Sequence, residues 1–495
     1  MNKILYHILI TFTLSVFIVA CDDDTDFSSS PTHLLQFSSD TITFDTLFTE
    51  TTSFTASFLV HNRNGSSLRV SSVMLGGGAD SPFRVNVDGQ HGNNIRDVEI
   101  GEEDSIFVFV DVNLDRNSAD VPFTVRDSLV FTLESGVRQQ VQLVACGRDA
   151  TLLKAPVVNS DTTFAAGAYI IYDSLTVAEG AQLTLSPGCE LYFHSRAGVS
   201  VYGTLVAKGE KSCPVLFRGD RTDNLLDYLP YDRVPGQWDG IKFHPSSNNN
   251  RLEWCDIHSA NYGIYIVSGD TSQQRLTMTN STVCNFSGDA LATENALVDV
   301  NNSLIANAGG NCVKIVGGSV RFVHCTIANF YVWKQRDVAL ALHNTLTGVP
   351  APLREALFAN CIITGSKNDE IMGYLYEFGD TIPDAARYKF VSSLLNTRPS
   401  EEDEKFVDIV WDSKDEPPFA KEHFCRIDNS VYEYDFHLDS ISSARGIADE
   451  EYSAQLMFDA DSVARPSVAA DAGCYQFREV QDAPNNVPNN VQDKR

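Results

Sequence analysis

Short segments in the middle of the chain repeat one pattern of polar and apolar residues. Each segment carries a small residue followed two positions later by an aliphatic residue, and three of the segments are spaced by 22 residues. A repeat of this length predicts a solenoid, in which each unit buries its apolar face against its neighbours. The segments are residues 254–257, 280–283, 302–305, 324–327 and 360–363.

Read as strands, these segments separate an inward from an outward register. Side chains two positions apart on a strand point the same way, so the small and aliphatic columns are predicted to share the interior. The column before the small residue should then face outward, and the residues two positions after the aliphatic column should form turns. The inward columns are Cys255, Ser281, Ser303, Cys325 and Cys361, and Ile257, Val283, Ile305, Ile327 and Ile363; the outward column is Trp254, Asn280, Asn302, His324 and Asn360; the turn column is Ser259, Asn285, Asn307, Asn329 and Gly365.

The outward column suggests sugar binding. Amide side chains hydrogen-bond hydroxyl groups, an aromatic ring can stack on a pyranose, and neighbouring rungs repeat at about 4.8 Å. Trp254, Asn280, Asn302, His324 and Asn360 are therefore the candidate ligand-binding residues. An ordinary polar outer sheet remains the alternative.

Motifs on both sides of the repeats resemble the right-handed parallel β-helix superfamily, also called pectin-lyase-like. Residues 180–188, 191–193 and 198–205 resemble the opening rungs of such proteins among bacterial surface lipoproteins, and residues 237–243 resemble their W-x-G-I-x-F rung. Residues 436–438, 459–466 and 471–475 resemble the closing segment. The resemblance covers residues 155–478, with an insertion near 366–435, and it is specific for architecture while saying little about chemistry.

Residues 32–148 differ from the repeats. Their alternating runs, separated by turn residues and lacking helical periodicity, are typical of an immunoglobulin-like β-sandwich. The expected fold class is therefore all-β: an N-terminal Ig-like β-sandwich followed by a right-handed parallel β-helix. The Ig-like domain resembles modules that act as spacers in surface lipoproteins. The alternating runs are residues 41–44, 53–61, 105–112, 127–133 and 140–145.

The N-terminus indicates export. Lys3 precedes an apolar run over residues 4–19, which is short for a membrane span and typical of a cleaved signal peptide. Residues 18–21 resemble a lipobox, which implies cleavage before Cys21 and lipidation of that cysteine; an ordinary secretory signal is the alternative. The acidic tether, residues 22–31, resembles a surface-export signal or is simply a solvated linker. We expect an outer-membrane lipoprotein of a gram-negative bacterium, exposed at the surface and held to outer-membrane lipid through Cys21.

Charge narrows the choice of partners. The chain has 65 Asp plus Glu against 37 Lys plus Arg, a net charge of −28. Nucleic acid is not expected as a partner, because phosphate binding requires concentrated basic charge. Acidic polysaccharides are disfavoured too, unless calcium bridges the like charges. A polysaccharide or an envelope protein remains. The tail, residues 479–495, is rich in Asn, Pro and Gln and is predicted to be disordered.

Two cysteines could form a disulfide bridge between neighbouring coils. Cys189 and Cys213 align at an offset of 24 residues, close to one coil. If their rungs are adjacent, their Cα atoms would lie about 4.8 Å apart, within the range of a disulfide. A zinc site is not expected, because the sequence contains no C-x-x-C pair.

Catalysis is not expected, although three candidates exist. Lys314, His324 and Arg336 belong to a local group that could remove a proton beside a uronate carboxylate and neutralise that carboxylate. Neither a G-H-G motif nor a nucleophile elbow is present. No cofactor is expected, but a loop over residues 219–235 interrupts the rungs, could wall a groove, and could offer calcium oxygen ligands from Asp220, Asp223 and Asp232.

We therefore expect a non-catalytic recognition or scaffold protein of the cell envelope, with glycan as the favoured ligand class by analogy with the fold. Two alternatives remain. One is a polysaccharide lyase or glycoside hydrolase acting on the β-helix face, and the other is a structural component of an outer-membrane assembly.

Overall fold

The computed structural model describes residues 26–479, apart from 52, 117–121, 227, 380, 381, 383, 401 and 403. These residues form two compact units that divide between Asp149 and Ala150. The predicted signal peptide, the lipidation site Cys21, the start of the acidic tether and the tail beyond 479 lie outside the described residues. Within them, no helix has the length and apolar character needed to span a bilayer.

The first unit is an Ig-like β-sandwich of two five-stranded sheets. Side chains along each strand point alternately to the interior and to the surface. In β8 (Ser105–Val112), Val108 and Val110 are buried between the sheets, while Phe107 and Phe109 face outward. The first sheet has the order β1-β3-β8-β5-β6 and the second β2-β10-β9-β4-β7. The strands are β1 (Leu35–Phe37), β2 (Thr41–Phe48), β3 (Ala56–Asn62), β4 (Leu68–Leu75), β5 (Phe83–Val87), β6 (Gln90–His91), β7 (Asn94–Ile100), β8 (Ser105–Val112), β9 (Phe123–Leu133) and β10 (Arg138–Arg148).

The second unit is a parallel β-helix, so the predicted fold class is confirmed. Each coil contributes one strand to an 11-stranded parallel sheet, here called the first face. Within it, Ile257 pairs with Val283, and Val283 pairs with Ile305. Its strands are β11 (Thr151–Lys154), β14 (Gly167–Tyr172), β17 (Cys189–Phe193), β20 (Val215–Gly219), β25 (Cys255–His258), β28 (Thr282–Phe286), β30 (Leu304–Ala308), β32 (Thr326–Asn329), β37 (Ile362–Gly365), β40 (Leu394–Leu395) and β42 (Val410–Trp411).

The rest of each coil belongs to a 17-stranded sheet that bends into a second and a third face. The long strands β29 (Leu291–Asn301) and β31 (Val313–Val323) run through both faces. The second face also contains β12 (Val157–Val158), β15 (Leu175–Val177), β18 (Val199–Val201), β23 (Ile241–Phe243), β26 (Ile264–Ile266), β33 (Leu340–His343) and β38 (Ile371–Tyr374); the third face contains β13 (Thr162–Phe164), β16 (Gln182–Leu185), β19 (Thr204–Lys208), β24 (Asn250–Glu253), β27 (Gln274–Thr279), β36 (Leu353–Ala359), β39 (Ala386–Val391) and β41 (Phe406–Val407).

The interior is a continuous stack of the inward columns. The predicted small and aliphatic columns are all buried, which confirms the inward register. On the third face, Phe322, Phe358, Phe390 and Phe406 stack in succession with ring centroids 5.1, 5.0 and 5.2 Å apart. Each fully buried side chain of this size contributes about 1.5–3 kcal/mol relative to exposure.

The predicted alignment of Cys189 with Cys213 is wrong by two residues. The structure pairs Glu190 with Leu216, an offset of 26, so the strand partner of Cys189 is Val215 rather than Cys213. A tight bridge between Glu210 and Cys213 occupies the extra residues. Both cysteines are free, Cys189 buried and Cys213 exposed, in place of the expected disulfide.

The end of the β-helix differs from the predicted insertion. Strands β38 to β42, within residues 371–411, continue the rungs, so this part of the stretch predicted as an insertion near 366–435 belongs to the β-helix itself. The chain after β42 then returns along the outside of the first face, where Phe424, Phe436 and Leu438 pack on Leu304 and Ile362. This return segment contains the hairpin of β43 (Phe424–Asp428) and β44 (Glu433–Leu438) and the helix α1 (Glu450–Gln455); two smaller hairpins on the rungs are β21 (Asn224–Leu226) with β22 (Leu229–Pro230), and β34 (Thr345–Leu346) with β35 (Val349–Pro350).

Candidate functional site

A groove of about 650 Å³, here called the first groove, lies on the outer side of the first face. Its floor is formed by outward side chains of neighbouring rungs. The turn at Tyr231–Arg233, in the loop that the sequence suggested as a wall, forms one side, and the hairpin β43–β44 forms the other. The lining residues are Asp232, Arg233, Asp256, His258, Thr282, Cys284, Asn285, Leu304, Asn307, Arg426, Tyr475 and Tyr432 to His437.

Ionisable side chains connect the floor of the first groove to the loop over residues 219–235. His258, whose side chain is 10% exposed, places Nε2 at 3.2 Å from Asp232 Oδ1 and Nδ1 at 3.9 Å from Asp256 Oδ1. Arg218 pairs with Asp232 at 2.6 Å. These contacts enclose His258 Nε2 and Asp232 Oδ1. Asp256, whose side chain is 42% exposed, remains open at the base of the groove, where its carboxylate can accept from a ligand hydroxyl.

An ion pair joins the two walls. Arg233 on the loop donates from Nη1 to Glu433 Oε1 at 3.0 Å and to the carbonyl oxygen of Val431 at 3.2 Å. Arg426, on the neighbouring strand, pairs with the other oxygen of Glu433. One carboxylate shared by two guanidinium groups therefore links the loop to the hairpin across the groove.

His437 lies between two carboxylates on the hairpin wall. Its Nδ1 is 2.5 Å from Asp435 Oδ1, its Nε2 is 3.1 Å from Asp461 Oδ2, and its ring stacks on Tyr475 with centroids 4.1 Å apart. The hydrogen bond to Asp435, reinforced by Asp461, raises the pKa of His437. The same bond lowers the pKa of Asp435, so that carboxylate is held ionised.

Aromatic rings line the hairpin side. Tyr432 stacks on Trp333 with centroids 4.4 Å apart, and Tyr434 stacks on Phe436 at 6.2 Å. Burial raises the pKa of Tyr434 and of Tyr475, so both keep their hydroxyl protons. Rings that face fixed carboxylate, imidazole and guanidinium groups are suited to a sugar, which offers both an apolar ring face and hydroxyl groups.

The predicted outward column lies elsewhere. Asn302, His324 and Asn360 are buried, so the expectation that they face solvent is wrong. The return segment covers them: Arg465 donates to Asn302 Oδ1 at 2.9 Å, and His324 Nε2 is 3.0 Å from Ser453 Oγ. All five residues of this column have positive φ, between 46° and 54°, so the column forms a corner between faces rather than an outward strand position; they are Trp254, Asn280, Asn302, His324 and Asn360.

Trp254 and Asn280, which lie before the covered part of this corner, line a cavity of about 230 Å³. That cavity shares Asp256, Thr282 and Tyr475 with the first groove. The side-chain oxygen of Asn280 has no hydrogen-bond partner among the described residues. Two members of the predicted column are therefore positioned beside the first groove.

The three catalytic candidates are not brought together. Arg336 is buried and forms a two-pronged ion pair with the fully buried Glu370. Burial lowers the pKa of His324, which the return segment covers. Lys314 alone lines a groove, on the second face, where its Nζ is 3.9 Å from Asp289 Oδ2.

The three candidate calcium ligands each contact a basic side chain. Asp220 contacts His194 at 2.7 Å, Asp223 pairs with Arg221, and Asp232 pairs with Arg218. Across the described part of the chain, no group of three or more His, Cys, Asp or Glu side chains is placed to hold a metal ion.

The sequence did not indicate Glu433, His437 and Tyr475 as groove residues, although His437 and Tyr475 lie in the segments that resemble a closing segment. Each belongs to the return segment, which carries no repeat and reaches the groove from residues far along the chain. The two-residue spacing of Glu433, Asp435 and His437, which places their side chains on one side of a strand, is the signal that could have indicated them.

No protein-family model matches the chain. A segment is 32% identical over 91 residues to Protein bark beetle of Drosophila melanogaster, covering 16% of this chain and 3% of the fly protein. The PapD-like domain 7 of human CEP192 is similar at 12% identity and a TM-score of 0.17, over 27% of this chain and 94% of that domain. A family 123 glycoside hydrolase from Clostridium perfringens is similar at 10% identity and a TM-score of 0.19, over 27% and 30% of the two chains. These partial similarities assign neither a family nor an activity.

Proposed function

We propose that the chain is a lipid-anchored protein of the cell envelope whose β-helix, of the pectin-lyase-like type, binds a neutral polysaccharide in the first groove without cleaving it. The observation that carries this proposal is the opposition of the tyrosine-lined hairpin β43–β44 to the polar floor around Asp256 and His258. Lipidation of Cys21 would hold the protein at the outer membrane, and the Ig-like unit would act as a spacer.

Two features support a neutral ligand and binding without cleavage. The net charge of −28 repels acidic polymers. Hydrolysis of a glycosidic bond requires a protonated carboxyl group as general acid, whereas the hydrogen bond from His437 keeps Asp435 ionised. Glu433 is paired with two arginines.

The test uses the full-length chain in detergent micelles with xylan, mannan, β-glucan and polygalacturonate. Binding and new reducing or unsaturated ends are followed together. We expect binding of a neutral polymer without products, and about tenfold weaker binding for Tyr432→Ala, because a stacking ring is lost. The matched control is Tyr202→Ala, which removes a 39% exposed tyrosine outside the groove.

Three results would contradict the proposal, each in a different way. Product formation would favour the lyase or hydrolase alternative. Absence of binding to every polymer would favour a structural role in an envelope assembly. Equal loss in Tyr432→Ala and Tyr202→Ala would move the binding site away from the first groove.

A further inference from the structure

A second groove of about 510 Å³ lies on the second face of the β-helix. The hairpin β34–β35 forms one side through Thr345, Leu346 and Thr347, and outward side chains of successive rungs form the floor. It is built in the same way as the first groove, by a hairpin that rises beside the outer side of a parallel sheet. Its other lining residues are Tyr262, Ile264, Tyr265, Asp289, Ala292, Thr293, Glu294, Lys314, Val316 and His343.

Two pairs of side chains in this groove each present a donor beside an acceptor. Tyr265 donates its hydroxyl proton to Glu294 Oε1 at 2.6 Å. Lys314 Nζ lies 3.9 Å from Asp289 Oδ2, too far for a direct hydrogen bond, and its side chain is 38% exposed. Neighbouring hydroxyl groups on a sugar ring each donate and accept, so a diol can bridge such a pair.

Aromatic rings accompany these pairs. Tyr262 meets Tyr265 edge-on with centroids 6.4 Å apart, and His343 stacks on Tyr374 at 4.5 Å with an interplanar angle of 13°. Desolvation and the charge of Lys314 lower the pKa of His343, so its ring is uncharged at neutral pH. Tyr374 is 48% exposed and extends the row of rings beyond the groove.

We propose that the second groove is a separate binding site for a neutral pyranose chain. The lining carries two carboxylates, Asp289 and Glu294, against one lysine, Lys314, and therefore offers no excess of positive charge to an anionic ligand. This site goes beyond the proposed function, which concerns the first groove alone.

The experiment is calorimetric titration of the full-length chain in detergent with cellohexaose, xylohexaose, mannohexaose and laminarihexaose. The second-groove variant is Tyr265→Phe with Lys314→Met, which keeps the ring and the aliphatic stem. The matched control is Lys389→Met, an exposed lysine on the third face. Melting temperatures of all variants are compared first, to show that each is folded.

We expect two sites per chain in the wild type and one in the second-groove variant, with Lys389→Met unchanged. In the Tyr432→Ala background, the remaining site should weaken at least about tenfold when Tyr265 and Lys314 are replaced. Unchanged affinity in that background would overturn the proposal. A single site that is sensitive to Tyr265 and Lys314 but not to Tyr432 would uphold the second groove while refuting the function proposed for the first.

A second readout does not depend on these substitutions. Saturating hexasaccharide should protect His343 from diethyl pyrocarbonate in the wild-type chain, as followed by mass spectrometry of the modified peptides. Modification of His343 at the same rate with and without bound sugar would overturn the proposal.

Discussion

The side chain of Asn360 and the backbone of Asp449 form a closed pair of hydrogen bonds. Asn360 Nδ2 donates to the Asp449 carbonyl oxygen at 3.0 Å, and Asn360 Oδ1 accepts from the Asp449 amide at 2.7 Å. The Asp449 side chain in turn accepts from the amides of Glu451 and Tyr452 at the start of α1. Asn360, which the sequence suggested as a sugar-binding residue, thus binds the return segment of the chain itself. The same segment forms a wall of the first groove.

Asn360→Ala should loosen the return segment. It removes both bonds to Asp449 and takes away the acceptor of the partly buried Asp449 amide, so we expect a loss of about 1–3 kcal/mol in the free energy of unfolding. Faster amide hydrogen exchange over residues 449–475 would report the loosening. The matched control is Asn280→Ala in the same corner column, where the side-chain oxygen has no partner; equal effects of the two substitutions would contradict the docking role.

The buried pair of Arg336 and Glu370 should be structural. Their side chains are 5% and 0% exposed, and Glu370 also accepts from the amides of Ala339 and Lys367. Arg336→Met leaves a buried charge unpaired and should cost about 3–5 kcal/mol in urea unfolding.

An exposed ion pair supplies the control for Arg336. Arg387→Met, which breaks the pair with Asp384, should cost at most about 1 kcal/mol. Equal costs for Arg336→Met and Arg387→Met would contradict the structural assignment.

His437 should make the hairpin wall sensitive to pH. Hydrogen bonds to Asp435 and then Asp461 raise its pKa above 6.5 in the folded chain, so the folded state keeps a proton that the unfolded state releases. This contribution to stability is complete below the unfolded value and is lost as pH rises through the folded value.

His437→Gln should therefore lower the melting temperature more at about pH 6 than at about pH 9.5. His91→Gln, an exposed histidine of the β-sandwich, serves as the control. An effect of His437→Gln that is the same at both pH values would show that its charge does not hold the wall.

Thiol labelling should separate Cys189 from Cys213. Cys213 is exposed and free, so it should react with iodoacetamide in the native chain. Burial raises the pKa of Cys189 to about 12, so this thiol should react only after denaturation. Failure of both cysteines to react in denaturant until a reductant is added would instead demonstrate the disulfide.

The repeats predicted the inward register because each rung neighbours the next in both sequence and space. Ile257 and Val283 could thus be assigned to the core from local pattern alone. The predicted pairing of Cys189 with Cys213 was wrong because the short bridge at Glu210 makes one coil longer, and the sequence pattern does not indicate these extra residues. The prediction that Asn360 faces solvent was wrong because its burial depends on Asp449, which lies 89 positions away in a segment without repeats.

Only one wall of the first groove could be predicted, because the other depends on contacts between residues far apart in the sequence. The loop over residues 219–235 is recognisable in the sequence as an interruption of the rungs, and two of its residues, Asp232 and Arg233, line the groove. The opposite wall was not visible, because nothing in the local sequence of β44 indicates that Glu433 meets Arg233 across the groove.

We propose that a neutral polysaccharide binds between the loop over residues 219–235 and the hairpin β43–β44. Hydroxyl-radical footprinting of the full-length chain, with and without the bound polymer, tests it most directly. We predict protection of Tyr432 and Tyr434, with Tyr202 on the outside of the rungs unchanged. Bound polymer that leaves Tyr432 and Tyr434 as reactive as in the free chain would contradict the account.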